Sequence, residues 1–109
     1  MAQVKLAPLA EQDIDEVCDY TRGKWGERKE DEYIELIGLA YGALEENPRA
    51  GRERPDILPS VWLYHVARPG RGARHFLLYR ITAEGNVEIG RFLYDGMDIQ
   101  RHVPGDWKP

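Results

Sequence analysis

Cysteine is almost absent from this chain. Cys18 stands alone, so an internal disulfide and a cysteine-based metal site are both excluded. It falls in the apolar pattern Ala10, Ile14, Val17, Cys18, Thr21, where a small packing residue is the simplest role. Histidine is nearly as sparse: residues 65, 75 and 102 lie apart with no ligand-like spacing, so neither a metal nor another cofactor is expected. Long apolar runs are missing, and nothing approaches the roughly 20 residues that span a bilayer. The opening MAQVKLAPLAEQDID turns acidic where a signal peptide would continue apolar, which makes a cytoplasmic protein the expectation. Repeats, low-complexity segments and inter-domain linkers are lacking too. The 109 residues therefore suit a single domain over 1–109, with a short C-terminal tail from about 104.

An excess of positive charge is the next absence. The net charge of -4 argues against tight binding to nucleic acid, and no direct nucleic-acid contact is expected. The balance is uneven, however. Through Asn47 there are 12 acidic and 5 basic residues; from Pro48 onward there are 7 acidic and 10 basic. An acidic half and an Arg-rich half suit a protein with two distinct faces, although solvated Glu-rich helices account for much of the first.

What is present reads as β-α-α-β-β-β. Gln3 to Leu6 alternates like a strand, and Pro8 suits the first turn of a helix running to Lys24. Acidic residues 11, 13, 15, 16 and 19 crowd its early turns, where the helix dipole favours them. Gly23 and Gly26 bracket a break, and Trp25 between them reads as a packing lid. A second helix over about 27–46 carries the stripe Tyr33, Ile37, Ala40, Tyr41 and Leu44, widened by Ile34 and Leu36. Asn47-Pro48 stops it. The short break favours an antiparallel helical hairpin. Residues 49–60 read as an irregular loop. VWLYHVA (61–67), HFLLYRIT (75–82) and VEIGRFLY (87–94) then form a three-stranded antiparallel meander through the turns RPGRGAR and AEGN. Met97 to Val103 adds one helical turn. The class is α+β: an N-terminal strand and a helical hairpin layered on a sheet.

Five phrases in this order resemble the ParE/RelE superfamily of type II toxins, and ParE more than RelE. They are PLAEQDIDEVCDYTRGKWG, EYIELI, ENPRAGRERPD, HFLLYRI and IGRFLYDGMDIQRHV, which together span about residues 5–103. The resemblance implies a RelE/ParE-like fold. It also implies a growth-inhibiting toxin, tied to plasmid or chromosomal stability, and held inactive by a cognate antitoxin in a hetero-oligomer. That antitoxin is expected to be a small ribbon-helix-helix DNA-binding protein. ParE-like members poison DNA gyrase by protein–protein contact, whereas RelE-like members cut mRNA on the ribosome. A degenerate toxin that only binds antitoxin is a third reading.

The residues bear on that choice. RNA cleavage needs a general base and acid, with cations aimed at the phosphorane. The nuclease set would be Arg80, Arg91, Tyr94 and His102, with Glu53 as a further acid. By strand alternation Arg80 shares a face with Phe76 and Leu78, and Arg91 with Ile89 and Leu93. Against cleavage stand the acidic charge and Asp95 and Asp98, which would repel a phosphate. Asp95-Gly96 reads as a turn and Asp98 as the cap of the short helix that follows. No catalytic residue is therefore assigned. Arg91, charged within an apolar strand, needs a carboxylate, either internal or from an antitoxin. The resemblance places antitoxin binding on the hairpin and sheet edge, at Tyr33, Ile37, Tyr41, Arg80 and Arg91. It places target binding near the C-terminus, at Arg101, His102 and Trp107. The run PRAGRERP is a solvated loop whose Arg cluster could meet an acidic antitoxin tail.

Overall fold

The computed structural model describes residues 1–68 and 71–108, the side chains of 67–74 excepted. Strand β1 (Val4–Leu6) leads into helices α1 (Pro8–Trp25) and α2 (Glu27–Glu46). Strands β2 (Arg52–Glu53), β3 (Trp62–Arg68), β4 (Arg71–Ile81) and β5 (Val87–Tyr94) follow. Short 3-10 turns lie at Pro48–Ala50, Ile99–His102 and Gly105–Trp107. The α+β class and the expected order hold. The tip of the expected RPGRGAR turn, 69–70, lies outside the described residues. Among the described residues no helix is long and apolar enough to cross a membrane.

Local chemistry explains the hairpin. Ala7 is extended and offers no side-chain cap, so Pro8, whose missing N–H is no loss at a first turn, begins α1. Gly26 has φ +91°, a left-handed conformation that costs glycine nothing. Its N–H closes onto Arg22 O at 2.9 Å, and its carbonyl accepts Glu30 N–H at 3.2 Å, so one residue both ends α1 and starts α2. Asn47, extended ahead of Pro48, ends α2, and its side chain accepts Arg49 N–H at 3.0 Å.

The sheet order is β1-β5-β4-β3-β2. The meander is antiparallel as expected, and β1 lies parallel beside β5, Val4 opposite Val87 and Leu6 opposite Ile89. Two features depart from the sequence reading. The segment 49–60 is not wholly irregular, because Arg52 and Glu53 pair with Leu63 and Trp62 as an edge strand. The buried Tyr79 hydroxyl draws that segment down, donating to Pro48 O at 2.7 Å and accepting Gly51 N–H at 3.1 Å. Only glycine fits there: a Cβ on Gly51 would lie 2.4 Å from Leu63 O. The second departure is a bulge in β5. Leu78 faces Arg91 while Tyr79 faces Ile89, so Gly90 is the extra residue.

The bulge sorts side chains onto two faces. Ile89 and Phe92 join the core beneath the helices, with Ala10, Ile37, Leu44 and Leu77. Leu93 belongs to a second cluster on the opposite face, with Ile57, Leu63, Leu78, Val103 and Trp107. Arg91 therefore does not share a face with both Ile89 and Leu93, because simple alternation fails across Gly90. Among the described residues no α-helix covers the second face. The 57–61 segment and the C-terminal tail close it, and a Cβ on Gly90 would meet Pro104 and Trp107 at 2.7 and 2.6 Å.

The helices are less buried than their pattern suggested. Ile34 is 50% exposed and Trp25 62% exposed. Trp25 is no lid: it ends α1 at the tip of the hairpin, where the Lys24 ammonium lies 5.5 Å from its ring. Tyr79→Phe removes one hydroxyl serving a donor and an acceptor, and should cost about 1–3 kcal/mol. Urea denaturation reads this as a lower midpoint at unchanged slope; an unshifted midpoint would mean the hydroxyl does not anchor the loop.

Candidate functional site

The edge of β5 is where the charged residues converge. β1 pairs with β5 only as far as Ile89, whose carbonyl accepts Ala7 N–H at 2.8 Å as the chain turns into α1. Beyond that point Phe92 N–H has no strand to donate to. Asp13, one turn into α1, supplies the acceptor: its Oδ2 takes Phe92 N–H at 3.0 Å. The same carboxylate takes Arg91 Nε at 2.7 Å and Nη2 at 2.9 Å, a bidentate pair with side chains 19% and 13% exposed. Arg91 Nη1 also donates to His102 O at 3.4 Å. The hydrogen bond to Asp13 outweighs burial and holds the guanidinium above its ordinary pKa. The partner that Arg91 required is internal.

Arg80 is committed in a similar way. It pairs with Glu88 across the strands at 3.0 Å, and its guanidinium lies 4.6 Å above the Trp107 ring. Trp107 is only 9% exposed and packs in the second core, so it supports the sheet and is not presented as a surface anchor. Arg101 is exposed and pairs with Asp98 at 3.3 Å. Asp98 stands at the N-cap position without a side-chain cap bond, so the expected cap is corrected: its carboxylate turns to Arg101. The Asp95-Gly96 turn is present, with Met97 N–H donating to Tyr94 O at 3.1 Å.

The nuclease set is thus dispersed in its chemistry. Arg80 and Arg91 each hold a carboxylate. His102 meets Arg91 through its backbone carbonyl, not its ring. Glu53 is exposed on β2 at the far edge of the sheet from β5.

A cluster that sequence reading missed lies across the ends of β4 and β5. His75 stands opposite Tyr94, stacks on Phe92 at 4.8 Å with rings 5° apart, and meets the Tyr94 ring edge-on at 5.6 Å. Its Nδ1 hydrogen-bonds the hydroxyl of Tyr33 on α2. Burial pushes the Tyr33 hydroxyl well above its ordinary value, and burial also lowers His75, with Asp95 opposing. A protonated Tyr33 donating to a neutral imidazole satisfies both shifts. The signal was cross-strand adjacency, which spacing along one strand does not reveal.

Ile37 and Tyr41 line a cavity of about 360 Å³ between the helices, with Leu6, Ile14 and Ile34 as apolar walls and Glu11 and Asp15 on its rim. Burial, then Glu11, pushes the Tyr41 hydroxyl up to about 12.

Residues 4–99 match the family described as the ParE toxin of the type II toxin–antitoxin system parDE. The chain belongs to the ParE toxin family. Two proteins named Toxin ParE1, from two strains of Mycobacterium tuberculosis, are each 31% identical to it over 98 residues. The match covers 90% of this chain and 94% of each relative. A solved structure described as the chromosomal ParDE TA system from P. aeruginosa superposes with a TM-score of 0.70 at 20% identity. It covers 86% of this chain and 96% of the other, a likeness of fold. This ParE-type toxin therefore belongs to a type II toxin–antitoxin system.

Asp13→Ala strands a mostly buried guanidinium and an edge N–H, and should destabilise the chain by about 2–4 kcal/mol in chemical denaturation. A loss below about 0.5 kcal/mol, the size of an ordinary surface substitution, would rule out the clamp as a structural requirement. His75 gives a pH test. Its folded pKa lies below the ordinary 6.5, so on acidification the unfolded chain binds the proton first. Its contribution is complete above about pH 6.5 and declines as pH falls below it. Thermal midpoints should drop over that window in the native chain, and His75→Phe should flatten the drop; an identical slope in both would refute the assignment.

Proposed function

We propose that this ParE-type toxin acts on DNA gyrase by protein–protein contact, performs no chemistry of its own, and is neutralised by its antitoxin. The observation that carries the non-nuclease reading is the internal commitment of Arg80 and Arg91, the two arginines of the candidate nuclease set. Phosphorane stabilisation needs cations free to meet developing charge. Arg91 is bound to Asp13 and Arg80 to Glu88, so neither offers that without breaking an ion pair. The net charge of -4 opposes entry among ribosomal RNA in the same sense.

The antitoxin is a small ribbon-helix-helix protein in the same cytoplasm, and the complex is a hetero-oligomer. The hairpin cavity supports a docking place for it. Ile37 and Tyr41 form its wall, half-exposed Ile34 extends it, and Glu11 and Asp15 offer acceptors to a basic residue on an incoming amphipathic helix. Tyr33, on the same helix as Ile37 and Tyr41, is tied to β4 through His75. Arg101 and the side chain of His102 are the tail groups offered to the target, while Trp107 holds that tail in position.

Purified toxin should inhibit supercoiling by gyrase or trap cleaved DNA, and leave ribosome-bound mRNA intact; adding antitoxin should restore supercoiling. Cleavage of mRNA with gyrase untouched would reverse the proposal, and harmless overexpression with retained antitoxin binding would identify a degenerate toxin.

A further inference from the structure

On the side of the molecule remote from the β5 edge, a groove of about 640 Å³ lies between the segment after α2 and strand β3. Its volume falls in the range of about 300–1,000 Å³ usual for ligand sites. Arg52, Arg54 and His65 line it together with Phe76 and Tyr64, and no carboxylate among the described residues does. In a chain of net charge -4 this is a local reversal of sign. Arg54 is held by Asp56 through two hydrogen bonds at 2.9 and 2.8 Å. Arg52 and the neighbouring Arg49 are exposed and have no carboxylate partner among the described residues. Beside them His65 stacks on Phe76 at 4.8 Å with rings 27° apart, an aromatic platform lining the groove.

The loop that carries these arginines is held rigid. Tyr79 bonds both Pro48 O and Gly51 N–H, the Asn47 side chain accepts Arg49 N–H, and a Cβ on Gly51 would collide with Leu63 O. Two unpaired guanidiniums on a backbone pinned at 47, 48 and 51 form a preorganised site, which lowers the ordering cost of binding. We propose that this groove receives an acidic, extended segment of the antitoxin. Arg49 and Arg52 take its carboxylates, and the Phe76–His65 platform takes an apolar or aromatic side chain. This rests on the proposed antitoxin neutralisation but concerns a surface separate from the hairpin cavity. The overall acidic charge favours a carboxylate segment over RNA, because a long polyanion meets the rest of this surface and is repelled.

The test uses the full chain and its purified antitoxin, with affinity measured across a range of salt. The double variant Arg49→Glu, Arg52→Glu should weaken binding by about tenfold or more and flatten the salt dependence, as loss of charged contacts at an interface does. Its thermal midpoint should be unchanged, since neither side chain is bonded among the described residues. Ile34→Ala, on the hairpin cavity, should weaken binding while keeping the salt slope. Equal affinity and salt slope in the double variant would overturn the groove assignment while leaving the antitoxin reading intact. Failure of the native chain to bind antitoxin would instead overturn that reading, and the groove proposal with it. A single-stranded oligouridylate that binds the native chain and not the double variant would show a nucleic-acid groove and also overturn the proposal.

Discussion

One carboxylate, that of Asp13, accepts three hydrogen bonds: two from the Arg91 guanidinium and one from Phe92 N–H. The edge of β5 past Ile89 has no strand beside it, and an open edge both leaves its N–H groups unsatisfied and invites unwanted pairing. Asp13 closes that edge with a side chain from α1. The pair thereby ties α1 to β5, and Arg91 Nη1 extends the tie to the carbonyl of His102. Helical layer, sheet and tail meet at one ion pair that is largely shielded from water. In such a setting removal of either partner costs far more than an exposed salt bridge contributes.

The second face depends on the same strand. Gly90 is the bulge, and its missing Cβ is where Pro104 and Trp107 settle. Arg80, paired to Glu88, lies over the Trp107 ring. The tail is therefore the cover of a small second core that no α-helix among the described residues overlies, with Val103 and Trp107 taking the place of one. This packing keeps the C-terminal end in a defined position, while the exposed Arg101–Asp98 pair remains at the surface.

The hairpin cavity and the β3 groove differ in sign. The hairpin cavity has apolar walls and an acidic rim, and the β3 groove is basic with an aromatic platform lining it. This follows the split between an acidic first half and an Arg-rich second half, now resolved into separate surfaces. Burial separates these places: it raises the Tyr33 hydroxyl and lowers His75 under the hairpin, while Arg49 and Arg52 at the groove are exposed.

Helix periods, the Gly26 break, the Asn47-Pro48 stop and the period-two strands are local properties, and the chain alone determined them, together with the α+β class and the family resemblance. Local rules could not decide which edge β1 takes, that Gly90 is an extra residue, or that Arg52 and Glu53 form a strand, because each depends on a partner far away in sequence. Arg91 shows the division. Its need for a carboxylate is visible in the sequence, since a charge in an apolar strand is costly alone. That the carboxylate is Asp13, 78 residues earlier, was decided only when α1 was laid across the end of β5. Trp107 and His75 followed the same course. Their size and chemistry were legible, but whether they faced solvent or one another was settled by packing, which places residues beside each other without regard to their distance along the chain.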